Sequence, residues 1–148
     1  MLNENESPLA PLIGQKAHGC WLGHGAALFL EFGEPQPLGP RQRHPCGEWS
    51  LRSDLILWRI DQGDRVLGGS EDNHVKSEAA VEQINGRVLI SGHISTFTGD
   101  TVLEFSDGLI LRTFLLSSED DARWNFKKFD GEYTPLGPLL AVARERES

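Results

Sequence analysis

The chemically most suggestive residues of this chain are two H-x-C units, His18-Gly19-Cys20 (with His24 close behind) and His44-Pro45-Cys46. Residues i and i+2 of a strand share a face, so the two units could bring His18, Cys20, His44 and Cys46 around one cation. Zinc takes Cys and His at tetrahedral corners. The spacings of the familiar structural zinc sites are absent, however, and two buried thiols with surface histidines is the simpler reading. No metal or other cofactor is therefore expected. A second pairing is Glu31 with Glu104, each at the centre of a Leu-Glu-Phe triplet. Under a twofold relation between the triplets these carboxylates could face one another and divide acid and base roles. Each also lies opposite its apolar neighbours Leu30/Phe32 or Leu103/Phe105, which predicts solvent exposure for both.

Arg112 follows the turn signal Asp107-Gly108. A two-residue hairpin places it on the face of Leu103, Phe105, Ile110 and Phe114, where a charge needs the rim or a carboxylate. A structural ion pair is the expected solution. Of the four tryptophans, Trp49 and Trp58 alternate with polar neighbours and read as core. Trp21, beside Gly23-His24-Gly25, and Trp124, beside Lys127 and Lys128, read as partly exposed rings. Aromatic anchors are enriched at interface hot spots, so Trp21, His24, Arg43, His44 and Trp124 form the candidate binding set. There is no G-x-S-x-G, neither cysteine has a basic partner at fixed spacing, and no glycine loop precedes a helix.

These residues sit on short, mostly β elements. Residues 16–22 and 27–32 read as strands, the second with strict alternation. The stretch 33–47 carries four prolines and three glycines and must be a loop, long enough to be functional. Residues 49–60 form the longest strand-like run, and both of its faces turn apolar in the second half. Only one helix is available to cover the Trp58 face, at 77–84, with Ser77 as N-cap and Asn85-Gly86 as the stop. Strands at 65–68, 87–96, 101–106 and 109–115 follow, then an acidic turn at 119–121 and an Asp130-Gly131 hairpin joining 123–129 to 132–134. Residues 136–143 read equally as strand or helix. Leu30-Glu31-Phe32 and Leu103-Glu104-Phe105 each lie about 17 or 18 residues after Gly14 or Gly86, and each precedes an Arg-bearing strand. That is the outline of two β-meander halves flanking one helix.

At 148 residues one domain is expected: a flexible arm over 1–12, an α+β domain over 13–143 and a charged tail over 144–148. The 22 acidic against 14 basic residues give a net charge of −8, which disfavours a phosphate-neutralising, nucleic-acid-binding surface. The apolar runs are too interrupted for a membrane span. Two cysteines are too few for a secreted disulfide scaffold, and the acidic N-terminus lacks a signal-peptide pattern, so a cytoplasmic location is expected.

Trp21-Leu22-Gly23-His24-Gly25, Leu30-Glu31-Phe32-Gly33, Gly47-Glu48-Trp49 and Asp107-Gly108-Leu109-Ile110-Leu111-Arg112-Thr113-Phe114 together resemble a group of small bacterial proteins of unassigned function. The likeness spans roughly residues 14–128. It implies a bacterial, cytoplasmic origin and carries over no catalytic residue or ligand.

The expected fold is α+β: mainly antiparallel sheet, about seven to nine strands, with one helix packed on one face. The leading functional expectation is a non-catalytic protein-binding module with an acidic surface, of which an immunity-type inhibitor of a basic toxin is one version. A small metal-assisted or carboxylate-based enzyme and a small-molecule binder near Trp58 are the alternatives. Exposed sheet edges make a homodimer credible.

Overall fold

In the computed structural model, residues 9–40, 43–54, 56–95, 98–115, 123–129 and 131–136 are described. They form an α+β fold of two antiparallel five-stranded sheets and one α-helix. The strands are β1 (Trp21–Leu22), β2 (Leu28–Phe32), β3 (Trp49–Asp54), β4 (Ile56–Gln62), β5 (Arg65–Gly69), β6 (Leu89–Ile94), β7 (Thr101–Phe105), β8 (Leu109–Leu115), β9 (Arg123–Lys128) and β10 (Thr134–Leu136), with α1 (His74–Glu82) between β5 and β6. The first sheet has the order β1-β2-β3-β9-β10 and the second β5-β4-β8-β7-β6. Among the described residues no helix is long and apolar enough to cross a membrane.

Alternation decides the faces. Leu28, Leu30 and Phe32 of β2, Leu103 and Phe105 of β7, and Leu109 and Leu111 of β8 are fully buried, and the inner faces meet where Phe32 stacks on Phe105 at 6.3 Å. One apolar cluster runs through both sheets and reaches α1 and the N-terminal segment. Leu9 and Leu12 belong to it, around a 3-10 turn at Ala10–Leu12. The expected flexible arm is thus corrected over 9–12, where two leucines contribute to the core; residues 1–8 lie outside the described residues, as do 119–121, 137–143 and the tail 144–148.

The run expected as one strand over 49–60 is two, because β3 and β4 belong to different sheets. The returning strands do the same: β8 pairs with β4 and β9 with β3. Each sheet therefore takes three strands from one half of the chain and two from the other. The exchange is twofold in its details. Leu30 pairs with Leu51 and Phe29 with Arg52; Leu103 pairs with Leu111 and Val102 with Arg112. Ser53 pairs with Trp124 as Thr113 pairs with Trp58. Around the Lys16–Val88 bridge the hydrogen bonds are reciprocal: Gly14 N–H donates to Leu89 O and Gly86 N–H to Ala17 O, both at 2.8 Å, while Leu89 N–H donates to Gln15 O and Ala17 N–H to Arg87 O. Gly14 and Gly86 occupy the same left-handed conformation, φ +86° and +90°, with no atom near where a Cβ would lie. Glycine is needed there for backbone freedom rather than for space.

Two expectations fail by small register errors. The β7–β8 connection is a three-residue turn, Ser106–Gly108, with Asp107 and Gly108 at φ +63° and +76°. One extra loop residue moves every side chain of β8 to the other face. Arg112 thus lies on the outer face beside Val102, where it bonds Asp61 at 3.3 Å as the anticipated ion pair. The helix starts one turn earlier than predicted: Asn73 is the N-cap, accepting from Lys76 N–H at 2.9 Å. Ser77 instead turns inward and donates to Gly69 O at 2.6 Å. Ala80 packs where Gly68 has no Cβ, and Gly68 pairs with Ile60, on the same face as Trp58.

Candidate functional site

The symmetry is broken by one insertion. Where the second half has the turn Ser106–Gly108 between β7 and β8, the first half has the proline-rich loop between β2 and β3. This loop folds back over the outer face of the first sheet. Its His44 ring stacks on Trp21 at 3.7 Å and 4°, and Trp21 stacks on Phe29 at 4.1 Å and 9°. Pro45 fits over Gly19, where a Cβ would lie 2.8 Å from the Pro45 Cγ, and Gln36 N–H donates to Cys46 O at 2.9 Å. Gly19 and three flat rings let loop and sheet approach closely.

Beneath the loop lies Glu31. It points to the outer face, as predicted, yet only 4% of it is exposed, because the loop roofs it; the expectation of solvent exposure is corrected. Its Oε2 accepts from the Ser50 hydroxyl and from Gly47 N–H. Burial pushes the carboxyl above the usual carboxylate range, against the pull of those two hydrogen bonds and of the Lys127 ammonium. Lys127 follows in the same cross-strand row, Glu31–Ser50–Lys127. Beside it, Tyr133 is clamped between the Arg52 guanidinium at 4.8 Å and the Lys127 Nζ at 5.0 Å. Glu104, the symmetry counterpart of Glu31, is exposed on the outer face of the opposite sheet and accepts from Ser91 Oγ at 3.2 Å. The two carboxylates point away from each other, so the shared acid–base pair does not form.

The two H-x-C units also stay apart in role. His18 donates its Nε2–H to Gly33 O at 2.5 Å. Cys20 is buried and its thiol is pushed up to about 12, chiefly by burial. His44 is committed to the ring stack, and burial with the nearby Glu31 charge raises the Cys46 thiol as well. Among the described residues no three His, Cys, Asp or Glu side chains are grouped to hold a metal ion. Both thiols are held in the unreactive protonated form.

A groove opens between α1, β1 and the tip of the loop, with a volume of about 290 Å³. One wall is His44, Pro45 and the Trp21 edge; the other is Glu78, Glu82 and Asn85. Both glutamates are exposed and, four residues apart, share one helix face. The groove is held open by a backbone anchor: Asn85 Oδ1 accepts from Cys20 N–H at 2.8 Å and its Nδ2 donates to Cys20 O at 3.3 Å. The side chain thus acts as a one-residue strand partner, fixing the helix end to the segment that leads into β1.

Of the predicted binding residues, Trp21 and His44 meet at this groove, and the exposed Arg43 adjoins His44 in sequence. His24 is exposed on the 3-10 turn His24–Ala26 and does not line the groove. Trp124 is 1% exposed and packs in the core, a correction that follows from its inward pairing with Ser53. Of its lysine neighbours, Lys127 is on the opposite face of β9, and Lys128, on the same face, lies at the strand end over the Trp49 ring. Nothing in the sequence marks the helix wall: Asn85 reads only as a stop signal, and Glu78 and Glu82 are ordinary surface residues until the loop is placed opposite them.

No protein-family model, no curated protein and no solved structure matches the chain.

Proposed function

We propose that the protein is a non-catalytic binding domain whose groove beside α1 receives a basic segment of a protein partner. The observation that carries this reading is the groove itself: two exposed carboxylates, Glu78 and Glu82, opposite an aromatic wall made by His44 and the edge of Trp21. Lysine and arginine side chains combine an apolar stem with a charge, and the groove matches both parts, with the rings and Pro45 to pack the stem and the two glutamates to meet the charge. The net charge of −8 adds long-range attraction for a basic partner. A basic toxin held by an immunity-type inhibitor is the version of this reading that the charge favours. The catalytic alternatives gain less support. The thiols are raised rather than activated, and Glu31, the carboxyl best suited to acid chemistry, is sealed beneath the loop and does not line the groove.

The test compares the tagged full chain with a Glu78→Gln/Glu82→Gln variant in pull-downs from the source lysate, read by mass spectrometry at low and moderate salt. A basic protein captured by the wild type, weakened at least tenfold in the variant and weakened by salt, is the expected result. Equal capture by the variant, or no stoichiometric partner, would count against the groove.

A further inference from the structure

The outer face of the second sheet lacks the cover that the first sheet has. Its central strands present Arg59 and Asp61 on β4, Ile110, Arg112 and Phe114 on β8, and Val102 and Glu104 on β7. Phe114 and Val102 are 40% and 38% exposed, and Val66 on the adjoining β5 is 59% exposed. On the first sheet the equivalent surface is closed by the proline-rich loop; here the corresponding connection is three residues long.

From this face we infer that the protein forms a twofold homodimer through the outer surface of its second sheet. Two arguments select a second copy as the occupant. Two molecules of net charge −8 repel, so they can meet only where the local charge is small. On these three strands two arginines, Arg59 and Arg112, balance two carboxylates, Asp61 and Glu104, and the charges cancel. The arrangement is also self-complementary. Asp61, Ile110 and Glu104 form one cross-strand row, and Arg59, Arg112 and Val102 form the next. A twofold axis running between these rows, across the strands, lays the acidic row of each copy on the basic row of the other. It leaves each Asp61 bonded to its own Arg59 at 2.9 Å and Arg112 at 3.3 Å, and brings Glu104 beside the partner copy's Arg112. Isologous contact of this kind needs one surface that complements itself.

The experiment is sedimentation equilibrium on the full chain over a wide concentration range, with Phe114→Glu and Val102→Glu variants checked for native circular dichroism. Both positions are already partly exposed, so the fold tolerates a polar side chain there. A wild-type dimer that shifts to monomer in either natively folded variant, by tenfold or more in dissociation constant, is the expected result. A wild-type monomer throughout would overturn the proposal. So would a dimer untouched by both substitutions, which would lie on another surface.

Discussion

Glu31 shows how a single residue acquires a role from its cover. Its neighbours on β2 are ordinary core, and it would be an ordinary surface carboxylate without the loop. Under the loop it becomes the acceptor that ties Gly47 and Ser50 together. Because its pKa is raised in the folded state above 4.5, the native chain holds that proton more tightly than the unfolded one. The contribution to stability is therefore greatest below 4.5 and declines as pH rises through the folded value. Glu31→Gln keeps an oxygen for both donors and removes the charge. Denaturant titrations between pH 4 and 8 are expected to show a flatter pH dependence, with stability at pH 7 within about 1 kcal/mol of the wild type. Glu31→Leu leaves the Gly47 and Ser50 donors buried without an acceptor and is expected to cost about 1–3 kcal/mol for each. A Gln variant with the full wild-type pH slope would show that another group dominates it.

Among the elements, α1 is the one most dependent on its ends. Asn73 satisfies an N-terminal backbone donor, and Asn85 secures the C-terminal end to Cys20. Asn73→Ala is expected to lower stability by about 1 kcal/mol, read as a shift in the denaturation midpoint without a change in slope. The start of this helix is not legible in the sequence because Ser77 is as good a capping type as Asn73, and only the presence of Gly69 O shows which way its hydroxyl turns. Strand character was legible wherever one face meets the core, as in Leu28-Phe29-Leu30 and Thr101-Val102-Leu103. The repeat was legible in Gly14, Gly86 and the two Leu-Glu-Phe triplets. What could not be read was long-range pairing. Nothing local to residues 54–56 announces a change of sheet, and the left-handed conformation of Asp107 hides one residue of turn. For the same reason the burial of Glu31 and of Trp124 was invisible: both depend on segments far away in the chain.

At the scale of the whole molecule, the halves are not separable layers. Each sheet is built from both, so loosening one half removes two strands from the sheet of the other. Unfolding followed by tryptophan fluorescence and by far-ultraviolet circular dichroism is expected to trace one coincident transition. Two resolved transitions would mean that the sheets come apart independently. The same exchange governs the order of events during synthesis. β3 and β4 emerge early, each with one edge that waits for a partner more than forty residues later, since β4 needs β8 and β3 needs β9. The second sheet cannot close until residue 115 has left the ribosome, and the first not until residue 136. The nascent chain therefore carries open strand edges through most of its translation. A chaperone that masks such edges would have a long interval in which to act.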